Sequence, residues 1–251
     1  MEPSARELTL AHHGSSLTLG DTHNTTGRAS APRGKLAIQQ LPPLAIEGHR
    51  SSGAGGPDHP MRIATRRAAG LHAEGWTGEL RHHVEGYFDG LAGEWHTRTS
   101  PQRTAVVRDA LVRGLGAIHS PVGIAVEVGS GIGTYSNLLA ERFATVVAID
   151  LSLAMLKLAP IGPALRVQAD GARLPVGDSS AAAVVLINAF VFPAEVERVL
   201  SSEGALVWVN SSGEQTPIYL SVDDLVAGLP GDWTGISSRA GDGLWCVLRR
   251  A

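Results

Sequence analysis

Three glycines at every second position follow a short apolar run, and an acidic residue stands two positions before the first of them. The segment reads Glu127, Gly129, Gly131 and Gly133. Glycines at this spacing let the backbone turn sharply from a strand into a helix and let a ligand lie against the main chain. A carboxylate at the end of a buried strand is costly unless a group pairs with it. The segment therefore predicts a ligand that carries a cationic amino group rather than a pyrophosphate.

The spacing also separates this loop from the dinucleotide-binding fingerprint, which has glycines at its first, third and sixth positions. Counting from Gly129, the sixth position is Thr134, and the third glycine is Gly133 at the fifth position. An NAD-dependent dehydrogenase is therefore the least favoured of the functions that a glycine loop suggests.

Alternating strands and helices must position these residues. Apolar runs predict strands at 123–128, 145–149, 165–168, 182–187 and 205–209. Helices are predicted at 134–143, after Ser152, at 193–200 and from Ser221 to Leu229. Segments 235–240 and 244–248, joined by Gly241-Asp242-Gly243, predict a closing hairpin. We therefore predict an α/β fold with a doubly wound sheet, mostly parallel, with an antiparallel C-terminal hairpin strand.

The loop resembles the first motif of class I S-adenosylmethionine-dependent methyltransferases, whose fold is Rossmann-like. Further motifs follow in the family's order. The resemblance implies that Asp150 accepts hydrogen bonds from both ribose hydroxyls and that Asp170 accepts one from the adenine amino group. It also implies that Leu151 and Met155 enclose the adenine, and that Asn188 lies near the reacting methyl group.

The start of the chain's ordered part carries a second, narrower resemblance. Tyr87-Phe88-Asp89 with Trp95 is similar to a helix of the ubiquinone/menaquinone-biosynthesis-like small-molecule branch, in which Tyr87 would close over the cofactor. The full set of implied cofactor-binding residues is Tyr87, Glu127, Gly129, Ser130, Gly131, Gly133, Asp150, Leu151, Met155, Asp170, Gly171 and Asn188. Two segments depart from the family: Ser201–Gly204 replaces Lys-Pro-Gly-Gly, and the stretch Ala189–Phe192 is short.

The expected reaction is an in-line displacement in which an oxygen, nitrogen or carbon nucleophile attacks the sulfonium methyl. Orientation and exclusion of water supply most of the rate enhancement in such a reaction. A general base is needed only when the nucleophile must lose a proton, and His83, Glu94 and His96 are the candidates. No metal site is predicted, because no histidine pair at helical spacing has a carboxylate partner.

The charge balance and one sequence segment limit the chemical class of the methyl acceptor. The formal net charge is −3, so no basic excess exists for binding nucleic acid or a membrane surface. Asn188-Ala189-Phe190-Val191 lacks the prolines that accompany methylation of base or amide nitrogens. A small organic metabolite is therefore the predicted acceptor. Cys246 is the single cysteine, and no signal peptide or apolar span is evident, so a cytoplasmic location is expected. The oligomeric state, monomer or homodimer, stays open.

Two alternatives to methyl transfer remain open at this point. An enzyme on the same scaffold could catalyse a step without methyl transfer, such as cyclisation or decarboxylation. A non-catalytic S-adenosylmethionine-binding protein is the other alternative, because fold does not determine function.

The chain divides into three predicted regions. Residues 1–60 are rich in Gly, Ser, Thr, His and Pro, and we expect a mostly disordered extension, with order beginning near Thr77. One hypothesis is that translation starts at Met61. Residues 61–122 are predicted to form N-terminal helices that cover the active site. Residues 123–251 are predicted to form the Rossmann-like cofactor-binding domain.

Overall fold

The computed structural model describes residues 38–48, 59–118 and 121–251, and this part of the chain is built on one mixed sheet. Its strands are β1 (Ile38–Gln40), β2 (Ile124–Val128), β3 (Thr145–Asp150), β4 (Leu165–Gln168), β5 (Ala181–Ile187), β6 (Leu200–Asn210), β7 (Trp233–Ala240) and β8 (Gly243–Arg250). The strand order is β1-β7-β8-β6-β5-β2-β3-β4. Among these strands, β8 alone runs against the others, pairing antiparallel with β6 and β7. The predicted fold class is confirmed.

The central strands are buried on both faces, as expected for parallel strands covered by helices. β5 is buried along its whole length. Val184 and Leu186 point into one apolar cluster with Trp208, whereas Val185 points into the opposite cluster with Val207. This alternation follows from the two-residue period of a strand.

Helices pack on both faces of the sheet. They are α1 (Pro60–Ala68), α2 (Gly78–Leu91), α3 (Pro101–Asp109), α4 (Leu115–Ala117), α5 (Ser136–Ala140), α6 (Leu153–Leu158), α7 (Pro193–Val199) and α8 (Val222–Gly228). A 3₁₀ helix continues α2 over Ala92–Arg98, a π-helical turn joins α3 to α4 over Ala110–Gly114, and a short 3₁₀ helix covers Gly213–Gln215.

Side-chain caps begin three helices, two of which, after Ser152 and from Ser221, are predicted from the sequence. The hydroxyl oxygens of Ser100, Ser152 and Ser221 accept hydrogen bonds from backbone N–H groups three residues on, at 3.2, 3.1 and 3.0 Å. Such caps satisfy donors that a helix leaves free at its first turn. The helix starts are therefore encoded locally.

The sequence does not predict two of these elements individually. β1 extends the sheet by pairing parallel with β7, and Leu44 forms a further bridge to Ala240. A strand of three residues is too short to show an apolar period. The prediction of a disordered extension therefore does not hold for residues 38–48, while residues 1–37 and 49–58 lie outside the described residues.

α1 is the second such element, because it lies at the start of the predicted helical region 61–122 but before Thr77, near which order is expected to begin. The His59 side chain caps this helix, and Pro60 occupies its first position. The buried residues are Met61, Ala64, Thr65 and Ala68. Most of them are small or polar, so their helical spacing gives a weak apolar signal.

Candidate S-adenosylmethionine site

The glycine loop between β2 and α5 adopts a backbone conformation that requires its glycines. Gly129, Gly131 and Gly133 have φ values of 72°, 56° and 72°, all in the left-handed region. A Cβ on Gly129 would lie 2.6 Å from the Cβ of Ala189. The backbone N–H groups of Gly129 and Ser130 donate to the carbonyl of Ile149 at 2.8 and 3.0 Å. These bonds fix the loop against the end of β3.

Glu127 lies beneath this loop and is almost completely removed from solvent, with 2% of its surface exposed. The hydroxyl of Ser136 donates a hydrogen bond to Oε2 of Glu127 at 2.5 Å. Burial raises the pKa of Glu127 to about 7, the Ser136 hydrogen bond opposes that rise, and the nearby Asp150 carboxylate adds to it. A cationic group on a ligand would favour the ionised form.

Asp150 ends β3 beside the loop and is held by backbone donors. The N–H of Gly131 donates to Oδ2 at 2.7 Å, and the N–H of Ser152 donates to Oδ1 at 2.8 Å. Burial raises the pKa of the Asp150 carboxyl, and these two backbone hydrogen bonds oppose the rise. Each oxygen keeps acceptor capacity toward a ligand.

Asp170 follows β4 and is partnered by a residue that sequence reasoning did not identify. Its Oδ1 accepts from the N–H of Ala172 at 2.9 Å, and its Oδ2 accepts from Nε1 of Trp76 at 3.3 Å. The Trp76 ring also packs against Phe190 and Phe192, with ring centroids 5.5 and 5.1 Å away. Trp76 lies in the irregular segment between α1 and α2, where no periodic pattern of apolar residues indicates its role.

Asn188 follows β5 with a φ of 51°. Its Nδ2 donates to the Ser211 hydroxyl at 2.9 Å, and its Oδ1 accepts from the Ser211 N–H at 2.8 Å. The amide therefore joins the ends of β5 and β6. Asn188 therefore has a structural role, in addition to its position beside the predicted site.

A cavity of about 480 Å³ brings the predicted cofactor residues together, with the exception of Gly133. Its walls combine the ends of β2, β3, β5 and β6 with residues from α1, α2 and the segment 97–103. The predicted residues that line it are Tyr87, Glu127, Gly129, Ser130, Gly131, Asp150, Leu151, Met155, Asp170, Gly171 and Asn188. Gly133 instead serves the turn, since its N–H donates to the Ser130 carbonyl at 2.9 Å.

The three predicted general-base candidates do not line this cavity. His83, Glu94 and His96 are exposed. On α2, the neighbouring Val84 is buried and faces inward, which turns His83 outward on the helix. The structure therefore does not bring these side chains to the place where a methyl acceptor would bind.

Aromatic residues are concentrated around the cavity. The chain has five Trp, three Tyr and four Phe, and seven of these twelve line the cavity: Trp76, Tyr87, Phe88, Trp95, Tyr135, Phe190 and Phe192. The sequence favours tryptophans as core residues, which holds for Trp208, Trp233 and Trp245, all fully buried. Arg98 and Arg103 also line the cavity and were not predicted.

Neither a metal site nor a membrane span is found in the part of the chain that the structure describes. There, no three His, Cys, Asp or Glu residues are grouped so as to hold a metal ion. None of the helices there has the length and apolar character needed to cross a bilayer.

The sheet order and the acid-bearing glycine loop agree with the fold and the first motif expected from the resemblance to class I S-adenosylmethionine-dependent methyltransferases. Residues 126–208 match the family model described as "Methyltransferase domain". The chain therefore contains a methyltransferase domain, and S-adenosylmethionine is the cofactor that the motif resemblance implies for it. No curated protein matches the chain.

Solved structures share this fold. A complex of DhpI with SAH is similar with a TM-score of 0.55 and 18% identity, over 70% of this chain and 99% of that chain. A candidate S-adenosyl-L-methionine-dependent methyltransferase from Methanococcus maripaludis has a TM-score of 0.51 and 17% identity, over 65% of this chain and 93% of that chain.

A third structure is matched over less than two thirds of its length. It is the complex of the Haloferax volcanii Trm112 methyltransferase activator with a candidate methyltransferase. The match covers 49% of this chain and 59% of that chain, with 20% identity and a TM-score of 0.42.

Proposed function

We propose that this protein transfers the methyl group of S-adenosylmethionine to a small organic acceptor by in-line displacement at an oxygen, nitrogen or carbon nucleophile. The observation that carries the proposal is the placement of Glu127, Asp150 and Asp170. These acids stand at the ends of three adjacent strands and line one cavity. Three acids so placed suit a ligand that presents a cation at one end and hydroxyl and amino donors along its length.

The residues present fit this cofactor. The Ser130 hydroxyl is buried and has no hydrogen-bond partner among the described residues, so a ligand atom would satisfy it. A Cβ on Gly131 would lie 3.4 Å from Nε1 of Trp95. The missing side chain of Gly131 therefore leaves space open between the loop and the Trp95 ring. We assign Glu127 to the amino group of the cofactor, Asp150 to its ribose hydroxyls and Asp170 to its adenine amino group.

The cofactor supplies a methyl group that is already activated on a sulfonium sulfur. The protein's own residues bind the cofactor and the acceptor, orient them and exclude water from the site. Leu151 and Met155 line the wall beside Asp150 and provide an apolar surface for a flat base. Tyr87 is 40% exposed and stands at the cavity as a covering residue. Fixing two reactants in line removes much of the entropic cost of their encounter.

The enclosure of the cavity supports a small acceptor. We propose that α1, α2 and the following 3₁₀ helix cover the carboxyl ends of the strands, since Met61, Val84 and Trp95 line the cavity from that side. The volume of about 480 Å³ lies within the range of small-molecule sites, about 300–1,000 Å³. A net charge of −3 gives no support to a polyanionic acceptor.

Binding and turnover test the proposal separately. Calorimetry should show that the protein binds S-adenosylhomocysteine, and that Glu127→Gln and Asp150→Asn weaken this binding. S-adenosylmethionine labelled in its methyl group should then pass label to members of a small-metabolite panel. Labelling of bulk tRNA or protein with no label on any small molecule would contradict the small acceptor. Absence of S-adenosylhomocysteine binding would contradict the site itself.

A further inference from the structure

Two arginines line the cavity without an acidic partner. Arg98 and Arg103 both contribute to the wall. Neither forms an ion pair with a carboxylate among the described residues, in contrast to Arg113 and Arg198. The Arg98 guanidinium lies 5.7 Å from the centroid of the Trp95 ring. Arg103 donates a hydrogen bond to the Arg98 carbonyl.

Arg103, Tyr135 and Glu127 line the same cavity. Both charges act on the same phenol, since Arg103 lowers and Glu127 raises the pKa of Tyr135, against a larger rise caused by burial. If Glu127 meets the amino group of the cofactor, the carboxylate on the same carbon must lie close by. Arg103 lines this cavity and has no carboxylate partner among the described residues, so it is then the guanidinium available to the cofactor's carboxylate.

The cofactor carries a single carboxylate, which is assigned to Arg103. Arg98 is therefore left without an anionic group of the cofactor to bind. Its guanidinium stands over Trp95, and Trp95 packs edge-on against Phe88 at 5.7 Å between ring centroids. Phe88 in turn contacts Tyr87 at 5.3 Å. This wall offers flat apolar faces that end in one unpaired positive charge. It is complementary to a planar apolar molecule with an anionic end.

The other ionisable groups of the wall offer no spare general base. Among the described residues that line the cavity, the carboxylates are Glu127, Asp150 and Asp170, and there is no histidine or lysine. All three carboxylates are assigned to the cofactor. The remaining ionisable side chains of the lining other than the arginines are the phenols of Tyr87 and Tyr135, and burial raises the pKa of Tyr135. An acceptor that must lose a proton would find no carboxylate, histidine or lysine left to take it. A carboxylate, ionised at neutral pH because its pKa is about 4, needs none.

We propose that the acceptor is an aromatic carboxylic acid, bound as its carboxylate by Arg98 and methylated on a carboxylate oxygen. This rests on the proposed methyl transfer and specifies its substrate class. A carboxylate oxygen forms the new C–O bond while the C–S bond to the sulfonium breaks. The bonding pair goes to sulfur, the acceptor's negative charge is cancelled, and the products are a neutral methyl ester and S-adenosylhomocysteine. No proton moves.

The product's chemistry provides the first test. The protein is incubated with methyl-labelled S-adenosylmethionine and either cinnamate or 1-naphthoate, or with the matching carboxamides and phenols. We expect label on the carboxylates alone, and mild base should release it as volatile labelled methanol. Label that resists base, on phenols, amines or carbon, would overturn the ester proposal while leaving methyl transfer intact.

Direct binding provides the second test, independent of turnover. Calorimetry with the S-adenosylhomocysteine-loaded protein should show that Arg98→Gln weakens binding of the aryl carboxylate by about tenfold or more, as expected for loss of a charge-assisted hydrogen bond. Affinity for S-adenosylhomocysteine itself should change less than about twofold in Arg98→Gln, because no contact to it is lost. Arg103→Gln should show the reverse pattern.

Arg108→Gln is the matched control, because Arg108 lies on α3 as an exposed side chain paired with Glu141 at 3.7 Å, away from the cavity. It should leave both affinities unchanged. Equal binding of carboxylates and carboxamides, or loss of S-adenosylhomocysteine affinity in Arg98→Gln, would overturn the assignment of Arg98. Failure of the unaltered protein to bind S-adenosylhomocysteine would instead contradict the proposed function.

Discussion

The Ser136 hydroxyl donates to Oε2 of Glu127 at 2.5 Å, and it is the one side-chain donor to this carboxyl within the described residues. One neutral donor does not compensate for near-complete burial, so the pKa of Glu127 rises to about 7. The free protein thus holds a carboxyl that is half-protonated near neutral pH and is poised to ionise against a cation.

This relationship predicts a pH-dependent stability difference between the unaltered protein and Glu127→Gln. The folded pKa of about 7 exceeds the unfolded value of about 4.3. The stability linked to Glu127 is therefore fully present below the unfolded pKa and is lost as pH rises through 7. Without ligand, Glu127→Gln should melt a few degrees higher at about pH 8 and equally at about pH 4. Calorimetric melting measures this, and a gap that does not change with pH would contradict it.

Asp150→Asn should weaken binding of S-adenosylhomocysteine, because an amide presents one acceptor where the carboxylate presents two. Each hydrogen bond to a charged group contributes about 1.5–3 kcal/mol, so the Kd should rise at least about tenfold. Asp178→Asn is the control, since Asp178 is an exposed acid paired with Arg198 at 2.7 Å. Calorimetric titration of both variants measures the effect. Unchanged affinity in Asp150→Asn would refute the ribose assignment.

Gly129→Ala should destabilise the protein for two reasons. Its φ of 72° is unfavourable for alanine, and the added Cβ would lie 2.6 Å from that of Ala189. Together these should lower the free energy of unfolding by about 2 kcal/mol or more.

Gly90→Ala is the matched control, because Gly90 lies in α2 with no heavy atom within 4 Å of an added Cβ. It should stabilise the helix by about 0.5–1 kcal/mol. Urea unfolding of both variants gives the comparison, and effects of equal sign would contradict the argument.

The strand ends were the predictable part of the site. Glu127, Asp150 and Asp170 each follow an apolar run, and parallel strands bring their carboxyl ends to one edge. Ser152 begins its helix through a contact three residues away, which the sequence shows directly. Patterns of this local kind carry over from sequence to structure with little change.

The unpredicted part depends on contacts between distant segments. Trp76 reaches Asp170 across 94 positions of the chain, from a segment without period. Arg98 and Arg103 lie at the junction of the 3₁₀ helix with α3, where charge alone does not distinguish a surface residue from a cavity residue. β1 owes its structure to pairing with β7, about 200 residues later.

Arg113→Ala should loosen β1 and destabilise the fold. Arg113 forms two bonds to the buried Asp109 at 2.6 and 2.7 Å, and it donates to the Pro42 carbonyl at 2.9 Å. The Arg113 side chain is 31% exposed, and Asp109 would keep the hydrogen bond from Nε1 of Trp245 at 2.7 Å. Loss of the charged hydrogen bonds should therefore cost about 1–3 kcal/mol.

Amide exchange should accelerate at Leu41 and Leu44, whose N–H groups donate to β7. Arg108→Ala removes an exposed pair with Glu141 and should cost less than about 1 kcal/mol. Unaltered exchange at both leucines in Arg113→Ala would show that β1 is held by its strand pairing alone.

The division of the tryptophans gives the protein a built-in optical reporter. Trp76 and Trp95 line the cavity, whereas Trp208, Trp233 and Trp245 are sealed in the core. Intrinsic emission therefore comes from two populations, a pair open to acrylamide or iodide and a trio shielded from both. A ligand that fills the cavity shields the pair and leaves the trio as an internal reference, so occupancy is readable without a label.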